Sequence, residues 1–223
     1  VRIGWLRSVA NIQHAFAVSS FADEVAHAGG QDPFQAWTKM LLGSDPKGPS
    51  KHNRRLLKVS AAAIAASDWH TKRKRGHGLG FAAHHSFDAY VAVVIEVDIS
   101  TAGQIRIPRV DLAADVGTIV HPDRVRAQME GAVNFGLSQA LFGQISAKNG
   151  AIVENNFDGF RLMRLSEAPA QIHVHLSASE GPPTGVGEPG VPPIAPALCN
   201  AIFAAIGKRV RDLPVIQHDL SWI

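Results

Sequence analysis

The chain has 223 residues, of which 46% are apolar and 18% charged, proportions typical of a globular protein that buries a core. Its net charge of +3 is too small for a protein that is basic throughout, and no apolar run reaches the length of a membrane span. The single cysteine excludes an internal disulfide framework, a CxxC redox pair and an iron–sulfur cluster held by this chain alone. Because the sequence opens at Val1, we expect a fragment, a processed chain or one subunit of a split protein.

Three helices are predicted in the first third of the chain. Asn11 can cap a helix that runs to about Ala28, where two glycines follow. The apolar positions of this helix are Ile12, Ala15, Phe16, Phe21 and Val25. An Asp-Pro pair at 32–33 is a typical start for a second helix over 34–42, and residues 43–50 have loop composition. A third helix is predicted over 52–69.

A basic, glycine-containing connector follows at residues 71–80, with four consecutive basic residues at 72–75. Such a run is typical of a solvated loop, and it could also form a nucleic-acid patch. No aromatic residue lies within the basic run to stack on bases, so we favour the loop and expect no nucleic-acid partner.

Strands are predicted from residue 79 onward. Val91, Val93, Ile95 and Val97 alternate with a second set of residues that becomes polar toward Glu96 and Asp98 (the other members are Tyr90, Ala92 and Val94). A turn at 101–104 and a returning strand from 105 toward 115–117 predict a hairpin.

A long helix is predicted from Pro122 to about Ile145, and a further strand over 172–176. Gly131 and Gly136 within this helix indicate close approach of a neighbouring element or ligand. The order of elements is typical of an α+β fold, in which we distinguish a helical part at 1–78 from an α+β part at 79–223.

The most unusual stretch is 184–193, with glycines at 185, 187 and 190 and prolines at 189, 192 and 193 around one carboxylate, Glu188. Glycine permits positive φ and close approach of a ligand, whereas proline stiffens the backbone. The two last prolines suit the first turn of a helix over 194–206. The stretch therefore predicts a rigid turn that exposes the Glu188 side chain to a ligand. In a dry pocket this carboxylate could serve as a general base.

The glycines at 185, 187 and 190 also match the GxGxxG fingerprint of dinucleotide-binding proteins. That motif requires a strand leading directly into the glycines, and here the strand over 172–176 ends well before them. Proline at 189 removes an N–H group that a pyrophosphate would need. These two features argue against nicotinamide binding.

Several histidines and the cysteine are candidates for metal or nucleophile sites. His173 and His175 share one strand face, but without a suitable third ligand a hydrogen-bonded pair is favoured. His84 and His85 point to opposite faces, which argues against a joint site. Cys199 lies within an apolar helix and is interpreted as a buried apolar residue, so no side-chain metal site is predicted.

Three stretches have an unusual content of glycine or polar residues, namely 7–11, then 115–117 with 128–131, and 187–189. Through them the chain resembles the molybdenum-binding subunit of the xanthine dehydrogenase/aldehyde oxidase family, most closely the isoquinoline 1-oxidoreductase and aldehyde dehydrogenase type. The specific matches are 116–122 with 128–132, and 184–196. The resemblance covers essentially the whole chain. It implies an α+β, C-terminal part of a molybdopterin-binding domain, with helices packed on a mixed or antiparallel sheet.

The resemblance implies an enzyme that hydroxylates an aldehyde or N-heteroaromatic substrate at carbon, with water as the oxygen source and Glu188 as the general base. Arg7 matches the arginine of a loop whose backbone lies beside the metal, and Val9 falls at the substrate-contacting position of that loop. Classical members have Arg-Gly-Phe-Gly where this chain has Arg-Ser-Val-Ala, so aromatic stacking on substrate is not expected at Val9. Arg7, Gln128, Gly185 and Gly187 are candidate cofactor-binding positions, although Gln128 could equally be an ordinary helix-surface residue.

The cofactor implied by the resemblance is molybdopterin with molybdenum, in its cytosine dinucleotide form. Electrons would pass to [2Fe–2S] clusters on a partner chain or domain. The implied partners are the remaining part of the molybdenum subunit and an iron–sulfur small subunit, and the compartment stays open between bacterial cytoplasm and periplasm. Two alternatives remain at this point: a non-catalytic assembly module in which Glu188 caps a helix, and a basic nucleic-acid-binding protein.

Overall fold

The computed structural model describes residues 3–43, 47–177 and 179–223, so part of the loop predicted at 43–50 lies outside the described residues. Within these ranges the helices are α1 (Asn11–Ala28), α2 (Pro33–Leu42), α3 (Lys51–Ala66), α4 (Pro122–Phe142) and α5 (Ile194–Ile206). The strands are β1 (His77–Ser86), β2 (Ala89–Ile99), β3 (Ile105–Asp115), β4 (Ala147–Lys148), β5 (Ala151–Ile152) and β6 (Gln171–Leu176). Short 3₁₀ turns lie at Leu165–Glu167 and Val215–Gln217. No helix within the described ranges is long and apolar enough to cross a membrane.

One four-stranded sheet organises the fold, in the order β1-β2-β3-β6. The first three strands are antiparallel neighbours, whereas β6 pairs parallel to β3, so the sheet is mixed. The predicted α+β class with a mixed sheet is confirmed. The division at residue 78 stays a prediction.

Alternation along β2 separates two cores on opposite faces of the sheet. Val91, Val93 and Ile95 are buried with apolar residues of α4 and α5. Tyr90, Ala92 and Val94 face the other way and pack with residues of α2 and α3. Because successive strand residues point to opposite faces, one strand serves both cores. The helices therefore form a layer on each side of the sheet.

Helix α5 lies unusually close to strand β1. A Cβ on Gly78 would be 2.4 Å from Ala201 O, and one on Gly80 would be 2.1 Å from Ala197 O. Such distances leave room for glycine alone, so the helix backbone rests directly on the strand backbone.

The assignment of residues 71–80 to a connector was wrong at its end, because β1 begins at His77.

Helix α1 covers the free edge of β1. Ser19 Oγ of α1 donates to Ala83 O at 3.2 Å, and Asn200 Nδ2 of α5 donates to Phe81 O at 3.1 Å, so two outward-facing carbonyls of the edge strand are satisfied. The predicted bounds of α1 are confirmed, but Phe21 and Val25 among its apolar positions are exposed.

The buried residues of α1 are small or polar instead (Ala15, Ser19, Asp23 and Ala26). Asn11 is not the cap either, because Ala10 occupies the N-cap and the Asn11 side chain bonds to His84 Nε2 at 3.1 Å.

The turn between β1 and β2 carries Phe87 and Asp88, both at positive φ (53° and 59°). This is the backbone of a tight two-residue hairpin, whose usual sequence signal is Asn-Gly or Asp-Gly. No turn was predicted at this point within the strand region that begins at residue 79. The predicted hairpin between β2 and β3 is present, with Gly103 at φ 82° in its turn.

Candidate active site

The loop that leads to Glu188 is anchored at the end of strand β3. Asp115 is fully buried and accepts two hydrogen bonds of 2.8 Å from the Arg55 guanidinium. Ser179 Oγ and Gly117 N–H donate to its Oδ1 at 2.7 and 3.1 Å. Burial would raise the pKa of the Asp115 carboxyl, but the hydrogen bonds outweigh burial and hold the pKa below its ordinary value. Asp115 thus stays charged and joins three segments of the chain.

Further hydrogen bonds attach the loop to residues 116–118. Thr184 donates its N–H and its hydroxyl to Val116 O at 3.0 and 3.1 Å. Thr118 donates the same two groups to Gly181 O at 2.9 and 2.8 Å. Between them Gly117 has φ 73°, and a Cβ there would be 2.0 Å from a main-chain oxygen of the loop. The two segments therefore touch backbone to backbone, which glycine alone permits.

The turn after Glu188 is seated on helix α4. A Cβ on Gly190 would be 2.7 Å from Ala132 Cβ and 2.9 Å from Met129 Sδ, so this glycine lets the turn pack directly on the helix. Val191 N–H closes the turn by donating to Glu188 O at 3.1 Å. Helix α5 begins only at Ile194, with Pro193 as its N-cap and no side-chain cap bond. The alternative role of Glu188 as a helix cap is therefore wrong.

Arg7 and Ser8, which come just before α1, form hydrogen bonds to Gly187 and Glu188. Arg7 Nε donates to Gly187 O at 2.5 Å, and Arg7 Nη2 donates to Gln128 O at 3.3 Å. Ser8 Oγ donates to Glu188 O at 2.6 Å, and Ser8 N–H donates to Glu188 Oε2 at 2.9 Å. We refer to these four hydrogen bonds as the clamp. Residues 180 positions apart are thereby joined at one carboxylate.

The positive charge of Arg7 and the carboxylate of Glu188 lie close together in the clamp. Burial lowers the pKa of the Arg7 guanidinium, while the negative charge of Glu188 acts in the opposite direction. The Arg7 guanidinium also lies over the Phe135 ring of α4, 5.6 Å from its centroid. The half-buried Glu188 carboxylate thus sits beside a fixed cation and beside one main-chain donor.

The glycines before Glu188 are not required by conformation or packing. Neither Gly185 nor Gly187 has positive φ, and a Cβ at either position would meet no atom within 4 Å. Of the two reasons for glycine offered by the sequence, positive φ therefore does not apply at these positions. Close approach of a ligand remains as a reason for glycine, since the space beside both residues is open.

This open space has the donors that an anionic cofactor needs. Within the described residues, the N–H groups of the four consecutive residues 185–188 have no protein acceptor. A cavity of about 480 Å³ adjoins Gly185 and is also lined by Arg55 and by the hairpin residues Phe87 and Asp88. Of these four residues Gly185 lines the cavity, and main-chain N–H groups without a protein acceptor suit phosphate or oxo oxygen atoms. The chemistry of the donors therefore fits molybdopterin.

The other predicted site residues lie at different distances from this centre. Gln128 contributes only its carbonyl to the clamp, and its side chain is exposed on α4, as an ordinary surface residue would be. Val9 follows Ser8 at φ 51° and is 38% exposed, so its side chain is accessible next to the clamp. Ser8 and Asp115 were not among the predicted site residues, although both lie in stretches that the sequence analysis singled out.

His84, His85, His175 and Cys199 contact other side chains of the fold or are buried in its core. His84 contacts Asn11 of α1, whereas His85 lies 4.4 Å from the His52 ring of α3, so the two point to opposite faces as expected. His175 bonds to Asp111 at 3.1 Å, and the described residues contain no cluster of metal-ligand side chains. Cys199 is buried, and burial raises the pKa of its thiol to about 12.

The four-residue basic run has structural contacts. Arg73 pairs with Glu96 at 3.4 Å, and Arg75 lies 5.1 Å from the Trp222 ring centroid. At least these two cations are therefore engaged within the fold, as expected for a loop that packs on its own protein.

Comparison with known families gives one match over most of the chain. Residues 17–169 match the family described as molybdopterin cofactor-binding domain. The chain is 32% identical, over 98% of its length, to a membrane-bound aldehyde dehydrogenase of Gluconacetobacter polyoxogenes that is named for pyrroloquinoline-quinone. It is 33% identical, over 96% of its length, to the beta chain of isoquinoline 1-oxidoreductase from Brevundimonas diminuta. It spans only 30% and 27% of the lengths of these two relatives.

Solved structures show the same fold at low sequence identity. The aldehyde oxidoreductase of Desulfovibrio desulfuricans superposes with a TM-score of 0.70 at 13% identity, over 94% of this chain and 40% of that one. The aldehyde oxidoreductase of Desulfovibrio gigas gives a TM-score of 0.67, also at 13% identity, over 96% of this chain and 41% of that one. At such identity the likeness concerns the arrangement of helices and strands.

Proposed function

This chain belongs to the molybdopterin cofactor-binding domain family, and from that premise we propose that it is the part of a molybdenum hydroxylase that presents Glu188 as general base. The reaction is hydroxylation of an aldehyde or N-heteroaromatic substrate at carbon, with water as the source of oxygen. The observation that carries the proposal is the clamped, half-buried Glu188 carboxylate beside the free N–H groups of 185–188.

The cofactor is molybdopterin with molybdenum, which supplies the two-electron oxidation of the substrate carbon when it is bound. The N–H groups of Gly185 and Gly187 hold its anionic oxygen atoms, and Arg7 keeps that turn in place through Gly187 O. Glu188 accepts the proton of the attacking oxygen nucleophile. We further propose the cytosine dinucleotide form of the pterin and a [2Fe–2S] centre on a partner chain or domain.

The substrate is a small organic molecule, and the names of the relatives suggest two classes for this chain. One relative is named as an aldehyde dehydrogenase and another as an isoquinoline oxidoreductase. A third relative, the B chain of nicotinate dehydrogenase from Pseudomonas putida, is 32% identical over 96% of this chain and also carries an N-heteroaromatic name. Val9 is accessible beside the clamp and offers substrate an aliphatic contact instead of an aromatic ring.

The remaining part of the molybdenum subunit is the partner that we assign to the outer face of α1. Val18, Phe21 and Val25 recur at helical spacing on that face and are 57%, 67% and 50% exposed. An apolar helix face of this kind usually marks an interaction surface. This chain spans only 30%, 27% and 19% of the lengths of the three relatives, and the rest of such a chain provides the occupant.

Replacement of Glu188 by glutamine tests the proposal. In the assembled enzyme, with benzaldehyde, isoquinoline and nicotinate as substrates and a dye as electron acceptor, Glu188→Gln is expected to lower kcat about 10²- to 10⁴-fold. The fold should persist, because the glutamine carbonyl can still accept the Ser8 N–H. Glu130→Gln, an exposed residue of α4, is the matched control and should keep full turnover.

Two outcomes would overturn the proposal. Full turnover of the Glu188→Gln enzyme would remove the general base and favour the non-catalytic module. Elemental and cofactor analysis provides the second check, since the assembled enzyme should contain molybdenum and a pterin. An active enzyme with pyrroloquinoline quinone and no molybdenum would contradict the cofactor assignment.

A further inference from the structure

Ser8 is held in a conformation that its own chemistry disfavours. Its φ is 76°, and that of the following residue, Val9, is 51°, so two consecutive non-glycine residues occupy the left-handed region. L-residues avoid this region because the Cβ approaches the following carbonyl, and such geometry persists only where the surroundings impose it. The Ser8 residue is also completely buried.

The surroundings that impose it are the two bonds from Ser8 to Glu188. The Ser8 hydroxyl donates to the main-chain oxygen of Glu188 at 2.6 Å and thus fixes where the backbone of this residue lies. The Ser8 N–H donates to carboxylate oxygen Oε2 at 2.9 Å and thus fixes how the side chain is turned. One residue therefore sets both ends of the glutamate.

The two carboxylate oxygens are consequently unequal. Oε2 accepts the Ser8 N–H, whereas no protein donor in the described part of the chain reaches Oε1. A general base needs one lone pair free to accept a proton and a fixed orientation toward the proton donor. The left-handed turn at Ser8 provides both conditions.

We propose that Ser8 is a positioning residue for the reaction: it acts through Glu188, whose main-chain oxygen its hydroxyl holds and whose Oε2 its N–H holds, so that Oε1 receives the proton. This inference rests on the proposed role of Glu188 as the base. Glycine at this position would adopt the same φ and keep the N–H, but it would leave the Glu188 carbonyl without its hydroxyl donor.

Ser8→Gly in the assembled enzyme is the primary test, with benzaldehyde and isoquinoline as probe substrates. We expect kcat to fall about 10-fold while KM changes less than about twofold, because misplacement of a catalytic group affects the chemical step more than ground-state binding. Ser19→Ala is the matched control. Ser19 is also buried and its hydroxyl also donates to a main-chain oxygen, Ala83 O, so its loss perturbs the fold similarly but should leave kcat unchanged.

A double-mutant cycle separates positioning from general destabilisation. If Ser8 acts through Glu188, then Ser8→Gly should lower kcat less than about twofold in a Glu188→Gln background. A further 10-fold loss in that background would overturn the inference. Full kcat in Ser8→Gly, together with inactive Glu188→Gln, would overturn the role of Ser8 and leave the proposed function standing. Full turnover of Glu188→Gln would overturn both.

Hydrogen exchange gives a readout that needs neither cofactor nor turnover. The Ser8 N–H should exchange slowly in the wild-type enzyme, and about 10-fold or more faster in Glu188→Ala, which removes its acceptor. Glu188→Gln should retain most of the protection through its side-chain carbonyl. Equal exchange in all three proteins would contradict the bond on which the inference depends.

Discussion

Asp115 shows how a buried charge supports a site that it does not enter. Its carboxylate receives Arg55, Ser179 and Gly117, and the loop attached there continues to Glu188. A buried carboxylate is unfavourable unless each oxygen has donors, and here both oxygens have them. Removing the charge of this carboxylate weakens the bonds of all three donor residues at once. The loss of stability therefore exceeds the value of a single hydrogen bond.

Asp115→Asn should therefore lower the free energy of unfolding by about 3 kcal/mol at pH 7, because the Arg55 cation loses its counter-charge. Urea denaturation measures this loss, and Asp158→Asn serves as the control, because Asp158 is exposed and its carboxylate accepts from the next amide. The pKa of Asp115 is lowered in the folded protein, so its contribution is complete above the unfolded-state pKa of about 3.9. It disappears as the pH falls through the lower, folded-state pKa.

The difference in stability between wild type and Asp115→Asn should consequently shrink once the pH is below about 4. A difference that stays constant from pH 7 to pH 3 would show that the carboxylate is not the source of the effect.

Helices and strands divide into those that local patterns predict and those that tertiary contacts decide. The bounds of α1 were predictable from its flanking glycines, but its buried face was not, because Ser19 and Asp23 face inward. They do so since Ser19 meets a carbonyl of β1 and Asp23 contacts Arg209, a residue far along the chain. Apolar periodicity alone cannot anticipate polar groups whose partners lie on distant elements.

The same reasoning applies to the site. Glu188 was recognisable because glycines and prolines surround it in the sequence. Ser8 was not, because serine is common on surfaces and the clamp exists only after residues 180 apart have met. Phe87 was missed as a turn residue since its positive φ is imposed by the hairpin and not signalled by its type.

The two glycines inside α4 provide a matched pair for testing helix packing. A Cβ on Gly136 would be 2.7 Å from Ile194 Cβ, whereas a Cβ on Gly131 would meet no atom within 4 Å. Gly131→Ala should raise the free energy of unfolding by about 0.5–1 kcal/mol, because alanine favours the helix. Gly136→Ala should lower it by about 1–3 kcal/mol, because α4 and α5 would have to separate.

Thermal and urea unfolding of the two variants would measure both signs in one experiment. Equal effects for Gly131→Ala and Gly136→Ala would mean that contact with Ile194, the first residue of α5, does not restrict the side chain at position 136.

At the scale of the whole molecule, helix α1 has one face packed on the sheet edge and one apolar face exposed. The inner face of helix α1 bonds one carbonyl of the β1 edge, Ala83 O, while its outer face presents the apolar residues assigned above to the rest of the molybdenum subunit. The predicted resemblance to a molybdopterin-binding subunit is confirmed by the family match over residues 17–169. The surface that would receive the remaining part was not predictable, because Phe21 and Val25 fit the pattern of a buried face.

Phe21→Ser should therefore leave the stability of this chain within about 0.5 kcal/mol of wild type, as is usual for exposed positions. It should reduce the yield and molybdenum content of the assembled enzyme, because an apolar contact with the rest of the subunit is lost. Met40→Ser, which alters an exposed apolar residue of α2, is the control. Unchanged assembly in the Phe21→Ser protein would contradict the surface assigned to α1.

The clamp also carries information about time. At a synthesis rate of about 5–20 residues per second, the 180 positions between Ser8 and Glu188 correspond to roughly 10–40 s on the ribosome. Contacts of such sequence separation form late, because the long intervening loop must close before they repay its entropy. The left-handed turn at Ser8 therefore lacks its two hydrogen bonds to Glu188 until residue 188 has emerged. A nascent chain therefore cannot orient this carboxylate before residues 187 and 188 have been synthesised.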